Sequence, residues 1–410
     1  MKRWKTIALS GITLFMVSFG ISTAISQQDN SKIKLVDTID ELEAMFPSAE
    51  VCGSCHGDIY EQWKKSFHSQ SILHSIDIIY NYVKYAINED PERRARAEQP
   101  GGFKAELMKC FVCHAPQLEY ASDKLMREIA QAVIDYYEKK DPKAKDLLSR
   151  VTVDCYVCHN FRAVHPPEKP KHNVMYGVKG TGKSVFHGIS KHPFIGNSNF
   201  CMQCHGAYIA PDGEHIFCST IAQSYRDHYV PMGGHKSCQD CHMREKNRGH
   251  TFPGAYNIEM LKEGLGFDFQ VRKVMDTEPL GPVATKRPAV VITADLINLA
   301  GHRIPDGCYW TGKVILEISA KDERGREVWN TKKEYFEMGL NWEGIRRWVS
   351  YEIKDIIDFS LPPRHTTTER FFAVFPKEVK KVKITAKVKY RIKGNVEFVV
   401  HEVTRELDYD

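Results

Sequence analysis

Five copies of Cys-x-x-Cys-His punctuate the chain, at Cys52/Cys55/His56, Cys110/Cys113/His114, Cys155/Cys158/His159, Cys201/Cys204/His205 and Cys238/Cys241/His242. The spacing suits one chemistry. Two thiols held three positions apart add to the two vinyl groups of a haem, and the histidine that follows is placed to ligate the iron. These ten cysteines are read as covalent attachment points, the five histidines as proximal iron ligands, and five c-type haems as the cofactors. A disulfide framework gives no reason for a histidine after every second cysteine. Zinc ribbons pair two Cys-x-x-Cys units about 15–20 residues apart, whereas the first cysteines here are 58, 45, 46 and 37 residues apart.

Each iron then needs a sixth ligand, and thirteen histidines lie outside the motifs. The segment from Tyr60 to His68 reads as a helix leaving the first motif. His68 would sit 12 residues beyond His56, about 18 Å along such a helix, so as a ligand it would serve a different haem. His165 follows the third motif by six residues, in a loop stopped by Pro166 and Pro167. His187 and His192 frame a Gly- and Pro-punctuated loop before the fourth motif, where one of them is expected to ligate. His250 is the last histidine before the composition changes. These five are the distal candidates.

The stretch Cys52-Gly53-Ser54-Cys55-His56-Gly57-Asp58-Ile59-Tyr60-Glu61-Gln62-Trp63-Lys64-Lys65-Ser66-Phe67-His68 resembles the N-terminal signature of the cytochrome c554 family of multihaem cytochromes. Cys238 to Met243 and Gly301 to Gly307 are similar to segments of multihaem cytochromes with a C-terminal β domain. The resemblance implies that His68 is the distal ligand of another haem and that His165 plays the same part. It also implies that a haem lacking a sixth ligand can occur beside bis-histidine ones. Two departures stand out: cytochrome c554 has four haems and no such tail. Related reductases of nitrite or tetrathionate carry Lys in place of the motif histidine, and no Cys-x-x-Cys-Lys occurs here.

The elements that must position these groups follow from length and patterning. With 410 residues the chain has room for two to three domains. Its 57 Lys+Arg and 52 Asp+Glu are interspersed, so no basic arm points to nucleic acid. Met1 to Lys5 is basic, Ile7 to Ile21 mostly apolar and Ala24-Ile25-Ser26 a small-residue site, the pattern of an export signal over 1–26. An uncleaved anchor over 6–25 is the alternative. The pentahaem domain is expected at 27–265, a linker at 266–284 and a β domain at 285–410. From residue 49 to 254 the motifs average about 41 residues each, so the haems themselves are expected to form the core. Ser122 to Lys140 is patterned as an amphipathic helix.

Beyond about residue 265 the apolar period shifts from 3.6 to 2. Val314 to Ala320 and Val382 to Ile392 alternate with polar residues, and Asp322-Glu323-Arg324-Gly325 supplies a turn. The fold expected is α+β multidomain: a mainly α multihaem domain low in secondary structure, followed by an antiparallel immunoglobulin-like β-sandwich. The lysines on 381–391 are read as protection of a sheet edge. Cys218 and Cys308, the two cysteines left over, are either a disulfide joining the two domains or two thiols.

Together these features imply an exported electron carrier, periplasmic or at the cell surface, working with redox proteins or a membrane quinol-oxidising complex. Two alternatives stay open. One is an oxidoreductase of a small nitrogen or sulfur compound at an open haem; the other is a subunit of a homo-oligomer or extracellular filament.

Overall fold

The computed structural model describes residues 35–164, 171–179, 182, 184–277, 285–306, 312–392 and 396–409. The expected leader, His165 and Cys308 lie outside them. Among the described residues no helix is long and apolar enough to cross a membrane.

Helices and turns fill the N-terminal part. The helix Asp123–Lys139 shows why: Ser122 caps it by accepting from the Leu125 N–H at 3.4 Å, and Lys140 ends it with a positive φ of 54°. Leu125, Met126, Ile129, Ala130 and Val133 fall on one buried face. That face packs with Ile72, Ile79, Leu107, Phe111, Leu118 and Leu148, all buried. This apolar core corrects the expectation that haems alone would form the interior. The long insert between the second and third motifs brings a conventional apolar core, and only the later segment, from 152 to 264, relies on little apolar packing of its own.

The helix leaving the first motif, Gly57–Lys64, is shorter than its sequence suggests. Ser66 turns extended (φ −88°, ψ 160°), its hydroxyl donating to the Trp63 carbonyl at 2.7 Å, and a 3-10 turn Phe67–Gln70 follows. His68 therefore leaves the helix axis. The second motif ends the helix Gly102–His114. Short paired strands β1 (Val174–Gly177) with β2 (Gly188–Lys191), and β3 (Tyr208–Ile209) with β4 (His215–Ile216), shape the loops around the third and fourth motifs.

The C-terminal part is an antiparallel sandwich. One sheet has the order β12–β6–β5 (Thr366–Val374, Lys286–Asn298, Leu265–Thr277) and the other β14–β13–β7–β8 (Glu397–Asp408, Lys381–Arg391, Lys313–Asp322, Glu327–Tyr335). This is the Greek-key order of an immunoglobulin-like fold. Two expectations are corrected here. Residues 266–277 of the expected linker 266–284 are strand: Phe267, Phe269 and Val271 alternate with polar residues, and β5 pairs with β6 along its full length. Nor is the lysine-rich strand an edge, because β13 lies between β14 and β7. Its lysines sit on the solvent face and meet acids on neighbouring strands, Lys387 with Glu402 at 3.2 Å and Lys389 with Glu317 at 2.6 Å. The β7–β8 turn depends on Gly325 at φ 75°, with the Asp322 carboxylate accepting from the Arg324 and Arg326 N–H groups, both at 2.9 Å.

Between the sheets runs an excursion carrying β9 (Glu337–Leu340), β10 (Arg346–Arg347) and β11 (Asp355–Asp358). It reaches into the helical part. Tyr351 joins the helical core, its ring 5.0 Å from that of Tyr82, and Phe217 donates its N–H to the Ser350 carbonyl at 3.4 Å.

Candidate haem-binding centre

One connected, largely apolar cavity of about 1850 Å³ runs through the protein. All five motif histidines and nine of the ten motif cysteines line it, Cys110 being the exception. The motif cysteines come together in pairs: Cys52 interacts with Cys155, Cys113 with Cys204 and Cys201 with Cys238. Cys158 lies within electrostatic reach of Cys201 and Cys204. Motifs one, three, four and five thus form a row, and motif two stands beside motif four.

Four motif histidines face a second histidine across this cavity. Ring centres are 6.5 Å apart for His56 and His187, 6.0 Å for His68 and His205, 6.1 Å for His159 and His250, and 6.4 Å for His242 and His302. An iron about 2 Å from an imidazole nitrogen on each of its two faces requires ring centres about 6 Å apart. The geometry fits axial ligation. Among the described residues no three His, Cys, Asp or Glu side chains converge on one metal position, and a haem iron asks for no such cluster, since the porphyrin supplies four of its ligands.

The ring orientations are fixed from behind. Nδ1 of His114 donates to the Ser71 carbonyl at 3.0 Å, His159 to Tyr176 at 2.8 Å, His242 to Pro253 at 2.8 Å, His187 to Gly188 at 2.9 Å and His302 to Arg303 at 2.8 Å. A bond at Nδ1 leaves Nε2 as the nitrogen turned to the cavity. Burial, with the facing histidine adding to it, holds His68 down to about 3, and burial then the facing His302 hold His242 down to about 4. Both rings stay neutral at physiological pH, as a metal ligand must.

Of the distal candidates, His68, His187 and His250 each face a motif histidine. His192 does not: its ring packs near Tyr176 and Phe194, and Nδ1 accepts from the Phe194 N–H at 3.3 Å. His165 lies outside the described residues. Sequence reasoning passed over His302, which stands in the connection after β6 and faces His242 with ring planes 13° apart. The signal available was the likeness of the Gly301 to Gly307 segment to those of multihaem cytochromes with a C-terminal β domain. Among the described residues, no second histidine ring faces His114.

Beside the second motif lies a buried charge network. Lys109 Nζ meets Glu106 at 3.0 Å, Asp212 at 2.6 Å and Glu214 at 2.8 Å, and Arg93 meets Glu214 at 2.6 Å. It ties the helix that carries Cys110 to the β3–β4 hairpin.

Comparison with known proteins adds one likeness that carries weight. No family model matches the chain, and no curated protein matches it. Among solved structures, a penta-heme cytochrome c552 from Thermochromatium tepidum superposes with a TM-score of 0.54 at 18% identity, covering 88% of this chain and 98% of that one. A structural-genomics target, SoR45, and a protein from Archaeoglobus fulgidus align over 36% and 35% of the chain at 9% and 13% identity, with TM-scores of 0.21 and 0.19, too low to support an argument. The first likeness shows the fold alone: this chain shares the scaffold of that multihaem cytochrome.

Proposed function

We propose that the protein is an exported pentahaem c-type cytochrome that relays single electrons between redox partners. The observation that carries this reading is the set of four imidazole pairs spaced 6.0–6.5 Å apart along one cavity whose attachment cysteines touch from motif to motif. Bound haem would supply a one-electron iron couple. The chain's part is placement. Cys52/Cys55 through Cys238/Cys241 anchor the five groups, His56, His114, His159, His205 and His242 ligate from one side, and His187, His250, His68 and His302 ligate the first, third, fourth and fifth from the other. Carbonyls behind five of these rings, those of His114, His159, His242, His187 and His302, hold them in orientation, and the apolar lining excludes water.

Covalent haem attachment takes place outside the cytoplasm, which agrees with the export signal read at 1–26. The partners fitting this reading are redox proteins or a membrane quinol-oxidising complex. A second reading is small-molecule chemistry at one centre, as the resemblance to a family in which a haem can lack its sixth ligand implies. Intact-mass measurement on protein made with a working maturation system tests the first reading. The mature chain should carry five haem masses that survive acid-acetone extraction, and four or fewer would contradict it.

A further inference from the structure

Behind the fifth centre lie two buried carboxyl groups that the relay does not use. Thr220 Oγ1 sits 2.7 Å from Asp306 Oδ1 and 2.9 Å from Glu337 Oε1. A hydroxyl has one proton to give. It can donate to one of these oxygens only, so the other contact needs a carboxyl O–H donating back to the threonine. The geometry itself therefore requires a proton on the pair. Glu337 is the better holder: both side chains are buried, but Asp306 Oδ2 lies 3.9 Å from Nδ1 of His302, which favours the ionised form there, while Glu337 Oε2 makes no hydrogen bond among the described residues, a lesser cost for a neutral acid than for a carboxylate. The chain of donors then runs from Glu337 O–H to Thr220 and from Thr220 O–H to Asp306.

The surroundings reinforce this arrangement. Glu337 is faced by Asp306 from the connection after β6, by Asp358 at the end of β11, and by Arg303, whose Nε is committed to Asp358 at 2.6 Å. Tyr390 of β13 also lies within reach of both carboxyls. Burial, with Asp306 adding to it, pushes Glu337 up to about 8. The link to the centre is short, since Asp306 Oδ2 is 3.9 Å from Nδ1 of His302.

We propose that Glu337 is a proton-binding site coupled to the centre held by His242 and His302: in alkaline solution, where the oxidised protein has released this proton, the site refills when the centre gains an electron. The electron comes from a one-electron donor protein and the proton from water, so one negative charge arriving at the centre is offset by one positive charge at Glu337. Asp306 stays ionised throughout and transmits the field. The inference rests on the haem-binding reading.

The test is potentiometric titration of the holoprotein between pH 7 and 10, with haem content measured on the same samples. In the wild type the potential of one centre should fall with pH above 8, toward about 59 mV for each tenfold drop in proton activity. In Glu337→Gln the slope of that centre should vanish, and at pH 10 its potential should exceed the wild-type value. Thr220→Val, which keeps both acids but removes the bridging hydroxyl, should move the pH range of the slope. A wild type flat at all centres overturns the proposal without any variant. So does a slope that survives Glu337→Gln, or, should that variant not fold, one that Thr220→Val leaves in place. Missing haem would instead count against the haem-binding reading.

Discussion

His68 and His205 face each other with ring centres 6.0 Å apart and planes at 71°, although 137 positions separate them in the chain. His68 follows the first motif and His205 closes the fourth, so this facing pair joins the start of the motif region to its later half. The break at Ser66 makes this pairing reachable, because a continued helix would have carried His68 along its own axis.

Replacing His68 by alanine is expected to convert one low-spin centre to a high-spin or water-ligated one, raise its potential as the imidazole donor is lost, and leave covalent haem content unchanged. Optical spectra and mass measured on one preparation check this. An unchanged low-spin count with an intact fold by circular dichroism would remove His68 from the ligand set.

Ser71 holds the neighbourhood of the second motif through its side chain, donating to the His114 carbonyl at 2.6 Å and accepting from the Val153 N–H at 3.2 Å. Ser71→Ala should cost about 1–3 kcal/mol in denaturant unfolding. The His114 spectrum should not change, because its Nδ1 partner is the backbone carbonyl of residue 71.

Lys109→Met should cost about 3–5 kcal/mol, since Glu106, Asp212 and Glu214 would be left without their shared cation in a buried setting. Thermal or denaturant unfolding reads this directly. A loss under 1 kcal/mol would show that Arg93, with Arg96, which meets Glu106 at 2.7 Å, carries the network alone.

Asp154 is buried, and burial raises its carboxyl from the usual value to about 7. The folded protein therefore holds a proton there that the unfolded chain has released, and the contribution is fully present below the ordinary aspartate pKa and lost as pH rises toward 7. Wild-type stability should fall across pH 4–7 by up to about 4 kcal/mol from this group. Asp154→Asn should flatten that slope, while its side-chain oxygen keeps the bond from the Val157 N–H. An equally steep slope in the variant would assign the effect elsewhere.

How much of this the sequence reveals depends on how local each requirement is. Haem attachment demands thiols and histidine at fixed spacing within five residues, so all five motifs are legible. A distal ligand need only arrive at the right place in space. His187 and His250 sit near enough to the motif region to be singled out, but His302 reaches His242 from sixty residues downstream, and only the tertiary fold brings it there. The helix Asp123–Lys139 and the strand Lys381–Arg391 show in their periodicity because each has one buried face. Whether β13 is central or at an edge depends on which strands pair with it, and no single-strand pattern encodes that. β5 falls in the linker expected at 266–284, although Phe267, Phe269 and Val271 alternate with polar residues there.

The account's central claim is that facing histidines make bis-imidazole centres, and low-temperature electron paramagnetic resonance of the oxidised holoprotein tests it most directly. The angle between two axial imidazole planes sets the splitting of the iron d orbitals and hence the spread of g values. The four pairs at 13°, 35°, 40° and 71° should therefore give four low-spin ferric signals, three rhombic and one, from His68 and His205, much more anisotropic. A spectrum dominated by high-spin iron, or with fewer than four low-spin centres per five haems, would contradict the account.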